Sequence, residues 1–123
     1  NYLKQIVNKL SKDKFLIDDL TKDGETKYMG ICQFKNGIPR RIDIRFIKKE
    51  QVPSSILYFT GCGEFNKNMR IFANKMGYKL NEYGLFNIDT NEKKKIQNEE
   101  DIFSYLGLNY VLPKNRIAQY KFN

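Results

Sequence analysis

Residues 40–47 read Arg-Arg-Ile-Asp-Ile-Arg-Phe-Ile, and from Arg41 onward charged and apolar side chains alternate almost without interruption. Successive side chains of a β-strand point to opposite faces. This segment is therefore a strand with Ile42, Ile44 and Phe46 on one face and Arg41, Asp43, Arg45 and Ile47 on the other. A chain carrying it must build a sheet with one face against a core, and the neighbouring segments have to supply that core.

Upstream, Leu3, Ile6, Val7 and Leu10 recur at helical spacing, which predicts an amphipathic helix over 2–11. Residues 15–20 and 27–34 read as strands, broken at Lys22-Asp23-Gly24. Asn36-Gly37 signals a hairpin just before Pro39. Downstream the pattern becomes helical. Residues 50–59 form a helix with Pro53 in its first turn. Thr60-Gly61-Cys62-Gly63 is a turn. Phe65, Met69, Phe72, Ala73 and Met76 then mark a second amphipathic helix over 64–76, closed by Gly77. Short strands are expected at 78–80 and 83–88, and a polar loop with Lys93-Lys94-Lys95 at 91–97. A last helix starts at the N-cap Asn98 with an acidic first turn and runs through 106. The ordered signal ends at Pro113. The fold class is α+β, with strands dominating to about residue 47 and a subdomain boundary near Glu50.

Composition narrows the chemistry. The 123 residues include no His, which removes His general bases, Ser-His triads and His-metal clusters. Catalysis would have to rest on carboxylates, Lys, Arg, Tyr, Cys or a bound metal. Lys and Arg number 22 against 14 acidic residues, a net charge of +8 shared by both halves; such a balance fits a polyanionic partner, and equally fits simple solubility charge. Cys32 and Cys62 have no metal or redox spacing, which suits free thiols in an intracellular, reducing compartment such as the nucleus, the cytoplasm or a viral replication site, not a secreted protein. No apolar run is long enough for a transmembrane helix. The chain opens on Asn1, without an initiator Met or a signal pattern and already inside the amphipathic repeat, so it is expected to be a piece of a longer protein.

Two local constellations carry chemistry. Asp43 lies mid-strand between Arg41 and Arg45 on one face; from these residues alone it is either a rung of a surface ion-pair ladder or a metal ligand or general base kept ionised by its neighbours. The glycine-containing turn at 59–63 offers backbone N–H groups at a helix start. The helix that follows carries Asn66, Lys67 and Arg70 away from its apolar side. Asn66 and Arg70, four residues apart, share a face. That face is either ordinary solvated surface or a reader of base edges.

Leu20-Thr21-Lys22-Asp23-Gly24-Glu25-Thr26-Lys27-Tyr28-Met29-Gly30, Arg40-Arg41-Ile42-Asp43-Ile44-Arg45, Leu57-Tyr58-Phe59-Thr60-Gly61, Phe65-Asn66-Lys67-Asn68-Met69-Arg70, Leu80-Asn81-Glu82-Tyr83, Glu100-Asp101-Ile102-Phe103 and Pro113-Lys114 follow one another in this order. Together they resemble the family X DNA polymerases of the polymerase beta type across nearly the whole chain. The resemblance implies that residues 1–49 are the end of an antiparallel or mixed palm sheet with a flanking helix, and residues 50–123 a small helix-rich thumb with a short β-hairpin. It implies templated addition of dNTPs to a primer 3′-OH in gapped or primed DNA, as in repair, with no membrane partner; it leaves the oligomeric state open. The alternatives are a non-catalytic DNA-binding module and a template-independent nucleotidyltransferase.

The same resemblance assigns roles. Asp43 would be the third catalytic carboxylate, a ligand of one of two Mg²⁺ ions, with Mn²⁺ as an alternative. Arg41 would hold Asp43 and a primer phosphate, and Arg45 would pair with an upstream carboxylate in the resting state. Tyr58, Phe59 and Gly61 would lie against the incoming sugar. Asn66 would read the minor-groove edge of the nucleotide, Lys67 would pack on the templating base, and Arg70 would contact the template. Glu82 and Tyr83 would brace the helix that carries Arg70. The chain departs from the family at Gly63, where an acidic or larger residue often packs on the incoming base, which implies a looser hold on the nucleotide. The family's Gly-Ser helix motif and Asp-x-Asp pair do not occur in these residues, so the chain alone is expected not to polymerise.

Overall fold

A computed structural model describes residues 1–21 and 24–123; of the break expected at Lys22-Asp23-Gly24, Lys22 and Asp23 lie outside the described residues. The chain forms two compact units, Asn1–Ile47 and Lys48–Asn123.

In the first unit, helix α1 (Tyr2–Lys12) is started by Asn1, whose Oδ1 accepts from the Lys4 N–H at 3.2 Å. Lys9 and Lys12 in its last turn complement the helix dipole. Strands β1 (Leu16–Asp19), β2 (Lys27–Cys32) and β3 (Arg40–Arg45) form an antiparallel sheet in the order β1-β2-β3, with a bulge in β1 between Leu16 and Asp18. The β2–β3 register pairs Tyr28 with Ile44 and Gly30 with Ile42, and these residues form the core face. Leu3 of α1 packs there with Leu16 and Tyr28, flanked by Val7, Leu10, Ile42 and Ile44. Burying each such side chain contributes about 1.5–3 kcal/mol. Gly30 is required because a Cβ there would collide with Tyr28 Oη and the Asp18 carbonyl. Tyr28 Oη donates to Asp19 Oδ1 at 2.7 Å, joining β2 to the edge strand. Burial, then the Asp19 hydrogen bond and carboxylate charge, push the Tyr28 hydroxyl up to about 12.

Alternation correctly divides the faces of β3 but runs two residues past the end of the strand. The strand ends at Arg45, and Phe46 is 42% exposed, stacked on Tyr2 at 6.1 Å between ring centroids. Past the last ladder pair the Phe46 N–H still donates to the Thr26 carbonyl at 2.8 Å, and its ring lies against Tyr2 of α1.

In the second unit, a 3-10 turn (Lys49–Gln51) leads into α2 (Val52–Thr60), with Pro53 in its first turn. Then come α3 (Gly63–Lys75), strands β4 (Tyr78–Asn81) and β5 (Gly84–Asn87) paired as a hairpin, and α4 (Glu99–Tyr105). Asn98 Oδ1 accepts from the Asp101 N–H, and Asp101 Oδ2 accepts from the Gln97 N–H, both at 2.9 Å: a reciprocal cap that starts a seven-residue helix which would otherwise be marginal. Phe65, Met69 and Ala73 on one side of α3 pack with Leu57, Leu80, Leu85, Ile102, Phe103 and Leu106.

Two expectations change here, at Met76 and past Pro113, while the polar loop at 91–97 stands as a loop. Met76 is the exposed cap of α3, because the helix stops one residue earlier. The polar stretch at 91–97 is tied down by a bridge between Phe86 and Lys93 and by the Lys94 N–H donating to the Leu85 carbonyl at 2.8 Å. Order also continues past Pro113, through a 3-10 turn (Pro113–Asn115) to Arg116, which is buried. Arg116 meets Glu99 through Nη1–Oε1 at 2.9 Å and Nη2–Oε2 at 3.3 Å; its Nε donates to the Val111 carbonyl at 3.0 Å, and its guanidinium lies over Phe103 and Tyr110. The Tyr110 hydroxyl beside this pair is raised, first by burial and then by the Glu99 carboxylate. A proline signals the end of regular structure, and it carries no information about a buried ion pair made by the residues after it.

Candidate functional site

In the first unit the candidate group lies on the wet face of β3. Arg41, Asp43 and Arg45 are all exposed there, opposite Ile31, Met29 and Lys27 in the ladder. Arg41 Nη2 donates to Asp43 Oδ1 at 3.0 Å, so the expected Arg41–Asp43 contact is made. With side chains 57% and 50% exposed it adds little stability. Among the described residues no three His, Cys, Asp or Glu side chains gather to hold a metal ion. A single exposed carboxylate already shared with an arginine does not fit a resident divalent ion by itself.

In the second unit the candidate site is built where α2 hands over to α3. Tyr58 and Phe59 in the last turn of α2 meet edge to face, with ring centroids 4.9 Å apart. Gly61 has φ 74°, a conformation that favours glycine, and the Gly61–Cys62 peptide is cis. Cys62 is the N-cap of α3. Gly63 opens the helix with nothing within 4 Å of where its Cβ would stand. One turn on, Asn66 Nδ2 donates to the Tyr58 carbonyl at 2.7 Å. Asn66 and Arg70 line a cleft with Ser54, Tyr58, Leu80 and Asn81. Its enclosed space, about 10 Å³, is roughly one water's worth, so a ligand would lie across this seam and not inside it. Lys67 is exposed on the same helix.

Glu82 and Tyr83 form the tip of the β4–β5 hairpin. The Glu82 carbonyl accepts from Ser55 Oγ at 2.9 Å, which ties the tip to α2, and the Tyr83 ring is exposed. The hairpin residue that lines the cleft beside Arg70 is Asn81, whose Oδ1 also accepts from the Tyr83 and Gly84 N–H groups at 2.9 and 3.1 Å. In the sequence Asn81 stands in the segment Leu80-Asn81-Glu82-Tyr83, where an Asn before a turn is ordinary turn chemistry and nothing marks it as lining a cleft. No local pattern marks Arg116, whose backbone carbonyl accepts from the Cys62 N–H at 3.3 Å and so reaches the turn at the head of the site.

The family model of the DNA polymerase beta thumb matches residues 55–117, and that of the DNA polymerase beta palm matches residues 1–49. The chain belongs to the family X DNA polymerases. It is 30% identical to DNA polymerase lambda of Rattus norvegicus over 90% of its length and 22% of that protein. It is 36% identical to DNA nucleotidylexotransferase of Xenopus laevis over 71% of its length and 17% of that protein. With the Repair DNA polymerase X of African swine fever virus it shares 33% identity, over 76% of its length and 53% of that protein. The chain thus spans about a sixth to a half of the length of these curated relatives. In family X terms, the β3 group falls within the palm match, and Tyr58, Gly61, Asn66 and Arg70 fall within the thumb match.

Proposed function

We propose that this chain is the end of the palm (1–49) and the thumb (50–123) of a DNA-directed DNA polymerase that adds dNTPs to a primer 3′-OH in short gaps. The reading is carried by Asn66 and Arg70, one turn apart on α3 and facing one cleft with Tyr58, at a helix that begins on the Gly61–Cys62 turn. Acceptors in the minor groove are shared by all base pairs. An Asn and an Arg presented there test the geometry of a nascent pair without reading its sequence. Gly61, Tyr58 and Phe59 would then bear on the sugar, Lys67 on the templating base, and Glu82 and Tyr83 would brace the helix from the hairpin tip.

Asp43, oriented by Arg41, would be one carboxylate of the palm's metal site, with Mg²⁺ as its cation and Mn²⁺ as an alternative; Arg45 would pair with another carboxylate in the resting state. Among the described residues β3 is an edge strand of its sheet, and a palm sheet continuing on that edge would set further carboxylates beside Asp43. This chain alone would not polymerise. The net charge of +8 suits gapped or primed DNA as partner. Free thiols at Cys32 and Cys62 are in keeping with a reducing compartment.

The similarity to a nucleotidylexotransferase supports template-independent addition as a second reading. Lys67 and Arg70, which would address a template strand, favour templated synthesis. The experiment is to express the full-length parent protein and assay it on a one-nucleotide-gapped duplex with Mg²⁺, beside Asp43→Ala and beside a primer without template. Gap filling that Asp43→Ala abolishes is the expected result. Addition to the bare primer would favour the second reading, and a folded parent that binds the gap without filling it would leave a DNA-binding module.

A further inference from the structure

The family's thumb match ends at residue 117, yet the residues after it lie along α3. The Ala118 carbonyl accepts from Asn68 Nδ2 at 3.4 Å. The Tyr120 ring meets the fully buried Phe65 edge-on at 5.5 Å. Phe122 packs on Phe65 at 5.0 Å and on Phe72 at 6.0 Å, and the two C-terminal rings meet each other at 4.8 Å. Just upstream, the Arg116 carbonyl takes the Cys62 N–H at the N-cap, and Arg116 is itself locked to Glu99. The C-terminal segment therefore touches α3 at residues 62, 65, 68 and 72, along its first ten residues.

Residues 65, 68 and 72 make one stripe of the helix, and Asn66 and Arg70 another. With 3.6 residues per turn the two stripes lie roughly 150° apart. One side of α3 is thus gripped by the C-terminal segment and another by the thumb core, while the cleft side presents Asn66 and Arg70 beside Tyr58 and Asn81. We propose that residues 118–123 are a strap that sets the seat and axial rotation of α3, making Tyr120 and Phe122 positioning residues for Asn66 and Arg70 in nucleotide selection; this rests on the polymerase reading above. Side-chain tips stand about 5–6 Å from a helix axis, so a rotation of about 10° shifts them by about 1 Å. Displacements of that size are enough to degrade a reacting geometry. Both rings are half-buried at the margin of a core whose centre (Met69, Leu85, Ile102, Phe103) is formed by other elements. Their loss should therefore affect the placement of the helix more than the fold.

The test uses the full-length parent protein as wild type, as the double variant Tyr120→Ala/Phe122→Ala, and as Tyr120→Phe, which keeps the ring. Amide hydrogen exchange is followed across α3, together with single-turnover incorporation of matched and mismatched dNTPs on a one-nucleotide gap. In the double variant, which removes three ring contacts to α3, exchange over residues 65–72 should rise at least about fivefold, the scale of a single lost aromatic pair, with β1–β3 unchanged. Selectivity should fall by a similar factor, through weaker binding of the matched dNTP, and Tyr120→Phe should behave as wild type. Unchanged α3 exchange, or faster exchange with intact selectivity, overturns the strap. If the double variant does not fold, Phe122→Leu is read by the same two measurements with the same outcomes. A wild-type parent that incorporates nothing overturns the polymerase reading instead, and the exchange of α3 then decides on the strap alone.

Discussion

Asn66 donates its side-chain amide to the backbone carbonyl of Tyr58 at 2.7 Å, bridging the start of α3 to the end of α2 across the Gly61 turn. Carbonyls in the last turn of a helix lack intrahelical partners, and this contact satisfies one of them. A nucleotide read by Asn66 must therefore replace an existing hydrogen bond, and the net gain is that of an exchange. Asn66→Ala in the parent polymerase should weaken matched dNTP binding by up to about tenfold, the equivalent of about 1–1.4 kcal/mol, with a smaller change in maximal rate. Rapid-quench titration of dNTP measures both, and an unaltered dissociation constant would remove Asn66 from the nucleotide contact.

Gly63 begins α3 with open space where a side chain would stand. An aspartate there meets no steric obstacle and sits favourably at the positive end of the helix dipole, a gain of about 0.3–1 kcal/mol. Gly63→Asp should raise the thermal midpoint slightly and lower the apparent dNTP dissociation constant. A stabilised protein with unchanged nucleotide affinity would show that the position has no bearing on the incoming base.

Arg116 and Glu99 form a buried, doubly hydrogen-bonded pair: Arg116 is 2% exposed, and the Glu99 side chain 15%. Removing one partner strands the other charge. Arg116→Met should cost about 3–5 kcal/mol in urea denaturation, whereas Arg116→Met/Glu99→Leu should recover much of that loss. Recovery distinguishes a stranded charge from a cavity. Equal losses in the single and double variants would mean that packing, and not charge, dominates.

Tyr28 sets an alkaline limit on the first unit. Its hydroxyl is pushed from its ordinary 10.0 up to about 12 by burial and by Asp19, so the unfolded chain loses this proton first as the pH rises. The contribution of Tyr28 to stability is therefore complete below pH 10 and is lost between about pH 10 and 12, with a slope of at most about 1.4 kcal/mol per pH unit. Tyr28→Phe lacks this titration. Denaturant midpoints followed from pH 9 to 12 should fall more steeply for wild type than for the variant, and parallel curves would refute the shift.

The periods of two and of three to four were legible because a strand with one wet face and a helix with one apolar face repeat at fixed spacings. Ile42, Ile44 and the exposed Arg41, Asp43 and Arg45 fall where alternation places them, and Phe65, Met69 and Ala73 fall on the buried side of α3. Asn66 and Arg70 were also placed on one face by spacing alone. Element ends are less legible: Phe46 and Met76 lie just past the ends of β3 and α3, their N–H groups still bonded to the Thr26 carbonyl and to the Phe72 and Ala73 carbonyls, but with exposed side chains where the core no longer covers them.

The sequence by itself determined the α+β class, the two faces of β3, the amphipathic helices and the family, since these depend on local periodicity and on the order of short motifs. Only the tertiary structure decided that Asn81 shares the cleft with Arg70, that Arg116 is buried against Glu99, and that Tyr120 and Phe122 close over α3. These contacts join residues far apart in the chain, or residues with no repeating pattern around them. A charged or aromatic side chain near a terminus has the same composition whether it meets water or a buried partner, and the folded path of the backbone decides which.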